Sequence, residues 1–249
     1  SDKLLVFFQS AKKTNLGVLR QKHKLITFVG KLNRAKGYDI FAKAIKKVLD
    51  KNLDWKAVVI GDERREKIDV NHERLSNLGF LEHKKVLNIF KKTSIAVVCS
   101  RWEEPFGRTS LEASANGCAV IISNRGGLPE TTTDSIILKD LNYLELENKI
   151  NLLIKDVSLR KKLQNLSIKN FYLTHKYVSS LIDSYRELKL NLNKTFFIKK
   201  SKTSLRILHI TNFNERLDGR LFFNTGRRIN NGFVRLGHSV LGFSDRDII

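Results

Sequence analysis

The chain has 249 residues, of which 41% are hydrophobic, and its formal net charge at pH 7 is +21. This length allows one large domain, or one domain with part of another, and the composition is sufficient for a packed core. No apolar run approaches the roughly 18 residues of a membrane span, and no signal-peptide pattern opens the chain. The charge favours polyanionic partners, although codon bias toward Lys, Asn and Ile is an alternative reason for it. Because no RNA-recognition signature or zinc-finger spacing is present, we do not expect nucleic acid binding.

Apolar strands alternate with amphipathic helices through most of the chain. Strands rich in Val and Ile, each followed by a helix, indicate an α/β fold, a Rossmann-like parallel sheet with helices on both faces. Ligands of such sheets bind beyond the carboxyl ends of the strands, so we expect the loops at 30–37, 61–66, 100–107 and 124–130 to line one rim. The predicted elements are strands at 25–30, 55–61, 75–81, 94–100 and 118–123, helices at 37–50, 82–93 and 108–117, and mostly helix over 142–190.

The organisation changes near residue 190. Residues 191–203 contain four lysines and no acidic residue and are interpreted as a basic linker. A strand from residue 204, a helix and a second strand up to residue 244 then form a β-α-β pattern. Because an open two-stranded sheet is not independently stable, we expect 204–249 to be a partial, truncated second Rossmann-like unit. Cys99 and Cys118 lie in apolar runs and are predicted to be buried free thiols.

Two glutamates flank a turn between predicted strand and helix, in the sequence EPFGRTSLE of residues 104–112. Pro105 and Gly107 disfavour helix before residue 108, so Glu104 belongs to the loop and Glu112 to the helix. Both carboxylates can then face one ligand at the start of the helix. Free backbone N–H groups there suit a phosphate, and carboxylates accept hydrogen bonds from vicinal hydroxyls.

A purely structural alternative exists for the same residues. Thr109 and Glu112 have the spacing of a capping box, in which the threonine caps the helix and the glutamate returns the hydrogen bond. Arg108 and Glu112 are also spaced for an ion pair within one helix. This stretch by itself leaves the structural and the ligand-binding interpretations open.

Three motifs in order resemble the retaining GT-B glycosyltransferases of family 4, over roughly residues 25–190. They are the E-x7-E pair of Glu104 and Glu112, the sequence GGLPE at 126–130, and VGKLNRAKG at 29–37. The resemblance is to the C-terminal domain of these enzymes, which binds the nucleotide-sugar donor. It implies a metal-independent hexosyltransferase without a cofactor, acting in polysaccharide biosynthesis on a UDP- or GDP-linked sugar and a saccharide or lipid-linked acceptor.

The resemblance also implies roles for individual residues. Lys31 and Lys36 would hold the donor diphosphate and, with Glu104, take part in catalysis. Glu104 would bind the hydroxyls of the sugar, and Glu112 those of the ribose. The family usually has Arg where Lys31 stands, and lysine keeps the charge but loses the bidentate fork. The remaining donor-binding residues implied are Gly30, Phe106 and Gly107, the last two through backbone N–H groups, and Arg108 and Thr109 beside the diphosphate.

The resemblance extends to domain organisation. Residues 1–24 are interpreted as a linker or the tail of an N-terminal GT-B domain that this chain lacks, and residues 204–249 resemble the start of another such domain. The order fits a piece of a tandem enzyme or a rearranged single enzyme. The D-x-D form at 245–247 is interpreted as coincidental.

We expect a cytoplasmic protein with peripheral contact to anionic membrane. The alternatives are a non-catalytic scaffold domain and a pyridoxal-phosphate phosphorylase, for which no lysine context is evident.

Overall fold

A computed structural model describes residues 7–191, 203–211 and 225–244 of the chain. The chain divides into two compact units, residues 1–185 and 186–249. Apart from its two end residues, the linker predicted at 191–203 lies outside the described residues, as does the D-x-D sequence at 245–247. The domain boundaries inferred from the sequence stay predictions.

The first unit is built around one sheet of six parallel strands. In chain order they are β1 (His23–Val29), β2 (Lys56–Ile60), β3 (Leu75–Asn77), β4 (Thr93–Val98), β5 (Ala119–Ser123) and β6 (Ser135–Leu138). The order across the sheet is β3-β2-β1-β4-β5-β6, and every neighbouring pair is parallel. This is the doubly wound order, in which the chain direction across the sheet reverses between β1 and β4. The α/β fold with a Rossmann-like parallel sheet is therefore confirmed.

Helices cover both faces of this sheet. They are α1 (Tyr38–Lys51), α2 (His83–Lys92), α3 (Arg108–Ala115), α4 (Tyr143–Lys155) and α5 (Val157–Lys169), with short 3-10 turns at Leu16–Gln21 and Leu128–Thr131. Helix α6 (His175–Asn191) follows, and its Val178 packs with Phe171 and Leu173 in a separate cluster. The apolar stripe of α1 is fully buried and, with α4, packs on one face, where the rings of Phe28 and Phe41 lie 5.1 Å apart. Side chains of α2 and α3 pack on the other face. Every residue of β4 and β5 is buried, as expected for central strands covered on both sides.

Three local features differ from the sequence predictions. The strand region predicted at 75–81 is a strand only at Leu75–Asn77, and Phe80 beyond it is 78% exposed. The edge strand β6 was not predicted. Helix α3 ends two residues earlier than predicted, with Gly117 in a left-handed conformation. There the Cys118 N–H donates to the Ala113 carbonyl, which is the Schellman arrangement.

Residues 7–24, expected to be a linker or tail, pack against this sheet unit. The Ala11 N–H donates to the carbonyl of Leu173, and Val18 is buried. Lys22 anchors the end of the segment, because its ammonium donates to the carbonyls of Phe90 and Asn116 at 2.9 and 2.7 Å. Burial lowers the pKa of Lys22.

The second unit contains the β-α-β elements that were predicted. They are β7 (Arg206–Thr211), α7 (Thr225–Arg235) and β8 (Ser239–Ser244), and the two strands pair in parallel. Helix α7 lies on one face of the strand pair, where the rings of His209 and Phe233 are 5.8 Å apart. Leu208, Ile210 and Leu241 are exposed, each by 60% or more.

Candidate functional site

A cleft opens at the carboxyl ends of β1 and β4, where the strand order reverses. In open α/β sheets this is the position at which ligands bind. The cleft has a volume of about 370 Å³, including space that is open to solvent, and we call it the charged cleft. It is lined by Phe28, Val29, Gly30, Lys36, Val98, Ser100, Glu104, Gly107, Arg108 and Thr109. Six of the nine residues inferred for the site from the sequence therefore lie together.

Two of these residues contact each other across the charged cleft. The ammonium of Lys36, on the loop after β1, lies 2.5 Å from Oε1 of Glu104, on the loop after β4. The Glu104 side chain is 12% exposed and that of Lys36 is 32% exposed. Because the pair is only partly hydrated, its electrostatic attraction is screened less than at an open surface. A ligand in the cleft meets a cation and an acceptor side by side.

The loops that carry this pair are tied together by their backbones. The carbonyl of Ala35 accepts hydrogen bonds from the backbone N–H groups of Arg101 and Trp102 and from the Ser100 hydroxyl. The guanidinium of Arg101 donates to both carboxylate oxygens of Asp39, at 2.5 and 2.8 Å. Burial acts to raise the pKa of Asp39, but the bonds from Arg101 outweigh it and the pKa is lowered. These bonds fix the separation of the two loops.

The turn at 124–130 supports the Glu104 loop from behind. The Gly126 N–H donates to Oε2 of Glu103 at 2.5 Å, and the Gly127 N–H donates to the carbonyl of Glu104 at 2.7 Å. A Cβ at Gly126 would lie 2.2 Å from the Glu104 carbonyl oxygen, so the turn can come this close only without a side chain. The GGLPE motif therefore positions the loop that carries Glu104.

Helix α3 begins at Arg108, with Gly107 as its N-cap at φ +107°. The capping box, one of the structural alternatives that the sequence left open, is wrong, because Thr109 lies inside the helix and the cap residue has no side chain. A Cβ at Gly107 would also lie 2.5 Å from Cδ2 of Leu128. The positive φ and this close packing both favour glycine at this position. With no side-chain cap bonded to it, the start of α3 presents backbone N–H groups beside the charged cleft.

The carboxylate of Glu112 is buried beside this helix start, and the residue is only 7% exposed. Its Oε1 accepts hydrogen bonds from Nε of Arg108 at 2.7 Å and from Nε2 of His83 at 2.8 Å. The ion pair within the helix was one of the structural alternatives. His83 was missed by sequence reasoning, although it follows the loop after β3, which leaves the same edge of the sheet.

Two other residues from the sequence prediction lie outside the charged cleft. Lys31 lines a neighbouring cleft of about 550 Å³, which we call the apolar cleft. The side chain of Phe106 is buried in the core, where its ring lies 6.0 Å from that of Phe8. The apolar cleft is lined by Val29, Gly30, Lys31, Ile60, Gly61, Asp62, Phe80, Leu81 and Val86. Because both clefts share Val29 and Gly30, they adjoin at the end of β1.

Metal-ligating side chains are scattered in the described ranges 7–191, 203–211 and 225–244, which contain no group of three or more His, Cys, Asp or Glu that could hold a metal ion. Positive charge at the charged cleft comes instead from Lys36 and Arg108. Carboxylate oxygens come from Glu104 and, behind Arg108, from Glu112. This set can bind an anionic ligand that also carries hydroxyl groups.

Comparison with known proteins agrees with this architecture. The family model for glycosyl transferases group 1 matches residues 11–170. Spore coat protein SA of Bacillus subtilis is 29% identical over 161 residues, which cover 58% of this chain and 43% of that protein. The chain spans less than half the length of the curated relatives it matches.

Solved structures share the fold. The C-terminal domain of the group 1 glycosyl transferase LpcC from Francisella tularensis matches with a TM-score of 0.53 and 24% identity, over 66% of this chain and 93% of that chain. HepE of Anabaena, solved in complex with UDP and glucose, matches with a TM-score of 0.59 and 18% identity, over 74% of this chain and 57% of that chain. With well over half of its residues inside the family match, this chain belongs to the glycosyl transferases group 1 family and carries a Rossmann-like half of the GT-B fold.

Proposed function

We propose that this chain is the donor-binding half of a retaining glycosyltransferase. It would bind a UDP- or GDP-linked hexose and transfer the hexosyl group to a saccharide or lipid-linked acceptor. The observation that carries the proposal is the meeting of Lys36, Glu104, Arg108 and the start of α3 at the point where the strand order reverses. The UDP and glucose bound by HepE support this choice of ligand class.

The diphosphate would lie at the start of α3, within reach of Arg108 and Lys36. As the bond between sugar and diphosphate breaks, the leaving diphosphate gains negative charge. Fixed cations and backbone N–H groups stabilise that charge without reorganisation. Because Lys36 and Arg108 already supply positive charge at this position, we propose that the transfer needs no metal ion and no cofactor.

Glu104 would accept hydrogen bonds from hydroxyls of the donor sugar. The Lys36 ammonium that contacts Glu104 would then bridge the sugar and the diphosphate, which couples the two parts of the donor. The apolar cleft beside β1 offers Phe80, Leu81 and Val86 to the flat base of the nucleotide. Lys31 at the same cleft would attract the nucleotide by its charge.

The acceptor would bind to an N-terminal GT-B domain that faces this half across the active-site cleft. We propose that such a domain and this chain act together at the cytoplasmic face of a membrane in polysaccharide assembly. A non-catalytic scaffold is the rival function. It predicts that Glu104→Gln in the intact enzyme leaves glycosyl transfer unchanged, whereas the proposal predicts a large loss of kcat.

Titration calorimetry of the 249-residue chain with UDP and with GDP tests donor binding. We expect one of the two to bind, and we expect the double variant Lys31→Ala with Lys36→Ala to bind it at least about tenfold more weakly, because the charge-assisted contact of Lys36 to the diphosphate and the attraction by the nearby charge of Lys31 are both lost. The matched control is Lys43→Ala with Lys46→Ala, which removes two exposed charges on α1 outside both clefts. A folded chain that binds neither nucleotide would contradict the proposal.

A further inference from the structure

The two oxygens of the Glu112 carboxylate have different surroundings. Oε1 accepts two hydrogen bonds, from Arg108 and from His83, whereas no donor in the described ranges is hydrogen-bonded to Oε2. The Glu112 side chain is only 9% exposed. Because both of these donors bind Oε1, Oε2 is the carboxylate oxygen that is left to accept a hydrogen bond from a ligand.

The partners of Glu112 stand between the two clefts. Arg108 lines the charged cleft. His83 is the first residue of α2, and it lies between Leu81 and Val86, which line the apolar cleft. The His83 side chain is 55% exposed and is therefore accessible to a molecule that extends from one cleft to the other. In a nucleoside diphosphate, the part between the base and the phosphates is the ribose.

Arg108 can act on the nucleotide in two ways. Its Nε is bound to Glu112, whereas the terminal nitrogens of its guanidinium have no hydrogen-bond partner among the residues that the structure describes. Those nitrogens are available for a phosphate, which Arg binds through its planar fork. An Arg108 side chain drawn toward a diphosphate holds Glu112 less firmly, and a second donor from another helix keeps the carboxylate in place.

We propose that His83 is a positioning residue that sets the selectivity of the site for ribose. Its Nε2–H donates to Oε1 of Glu112 and keeps Oε2 available to a ribose hydroxyl, because a carboxylate can only accept and the ring nitrogen must therefore carry the hydrogen. The inference rests on the proposed donor-binding function and adds to it a residue outside the E-x7-E motif. The competing explanation is that the contact between His83 and Glu112 has only a structural role and joins α2 to α3.

Deoxynucleotides separate these explanations. Calorimetry of the full chain would compare UDP, or GDP if that is the ligand, with its 2′-deoxy and 3′-deoxy analogues. For the wild type we expect removal of one of the two hydroxyls to weaken binding about tenfold or more, the usual effect of a hydrogen bond to a charged group. We call this loss of affinity on removal of the hydroxyl the deoxy penalty. For His83→Ala we expect the deoxy penalty to fall below about threefold, because the Glu112 carboxylate is no longer held by His83.

Two further variants complete the experiment. His83→Gln places an amide donor near the position of Nε2, so most of the loss of affinity for the deoxy analogue should return. Lys85→Ala, which removes an exposed charge from the same helix, should leave it unchanged. If His83→Ala lowers thermal stability but leaves the loss of affinity for the deoxy analogue as large as in the wild type, the proposal is wrong. The contact between His83 and Glu112 would then only join α2 to α3. Equal wild-type affinity for all three nucleotides would also overturn it, with the donor-binding function intact, whereas no nucleotide binding at all would overturn that function too.

Discussion

Glu104 and Glu112 both accept hydrogen bonds from cationic side chains, but the two carboxylates are held in different ways. Glu104 lies on a loop and pairs with Lys36 from another loop, so a ligand between the loops reaches both charges. Glu112 lies on a helix and is held on one oxygen by Arg108 and His83. The first arrangement suits a group that enters the cleft, and the second suits a group that passes its edge. We therefore expect this one motif to provide two different binding positions.

The two cysteines have a packing role, as their positions in apolar runs predicted. Both Cys99 and Cys118 are buried and free. Burial raises the pKa of the Cys99 thiol to about 12, so the thiol stays protonated at neutral pH. Its Sγ donates to the carbonyl of Gly37 at 3.3 Å and thereby joins β4 to the start of α1.

Replacement of Gly107 tests whether the loop before α3 requires a residue without a side chain at this position. We expect Gly107→Ala to lower the free energy of unfolding by about 2–3 kcal/mol, because φ is +107° and the new Cβ would meet Leu128. Gly79→Ala is the matched control. It also has positive φ, at +61°, but no atom lies within 4 Å of its Cβ position, so only the backbone cost of about 1 kcal/mol applies. Equal losses for both variants in urea unfolding would contradict the packing argument.

At the scale of elements, the site is made of loops that follow parallel strands. The Gly30 N–H donates to the Ile60 carbonyl, and the Leu32 N–H donates to that of Asp62, so the loops after β1 and β2 run together. The loop after β4 is bonded to the first of these at Ala35 and to the turn after β5 at Gly127. The prediction that four loops line one rim is therefore confirmed. Their mutual hydrogen bonds make the rim a preorganised surface.

A glutamate between two of these loops gives the rim a pH dependence. Hydrogen bonds from Arg65, first among several, lower the pKa of Glu63 to about 2, and Asn33 of the neighbouring loop donates to the same carboxylate. Because the pKa is lowered in the folded protein, this contribution to stability is present above pH 4.5, the ordinary value, and is lost as the pH falls toward 2.

We therefore expect Glu63→Gln to reduce the dependence of the urea midpoint on pH between about 5 and 3. The control is Glu73→Gln, which changes a glutamate whose side chain is 80% exposed. Both variants are compared with the wild type by circular dichroism across the same pH series. If Glu73→Gln flattens the profile as much as Glu63→Gln does, the inferred role of the loop carboxylate is wrong.

At the scale of the whole molecule, the dominant property is the net charge of +21. Within the described parts of the chain, no helix is both long enough and apolar enough to cross a membrane. Many of the lysines are exposed on the outer faces of helices, away from the two clefts, and nothing in the donor-binding proposal requires them. Such a surface is suited to electrostatic attraction by anionic lipid head groups.

We expect the chain to co-sediment with vesicles that contain anionic lipid and to be released by about 0.5 M NaCl, because salt screens exposed charges over a few ångströms. Vesicles of zwitterionic lipid alone are the control and should retain little protein. If the protein stays on anionic vesicles in high salt, the attachment is not electrostatic. Equal retention on anionic and zwitterionic vesicles would also contradict an electrostatic attachment.

Local patterns in the sequence were sufficient for most of the first unit. The apolar periodicity of α1 and the Val- and Ile-rich runs of β1, β4 and β5 are local properties, and they predicted the parallel sheet correctly. Strand β6 was missed because its four residues are too few for a periodic signal. The capping box was one of the alternatives left open, and it is wrong because α3 begins at Arg108, as predicted, with Gly107 as its cap. The spacing of Thr109 and Glu112 alone also fits a cap that would start the helix two residues later.

The fold class, the family motifs and the chemical types of residue at the site could all be inferred from the amino-acid sequence. Which of these residues contact each other could not, because the contacts form between distant parts of the chain. Lys36 lies against Glu104, Lys31 faces a separate cleft, and His83 reaches Glu112 from a different helix. These contacts join residues 29 to 68 positions apart in the chain. They depend on the order of the strands in the sheet and the course of the loops, which no local pattern of residues contains.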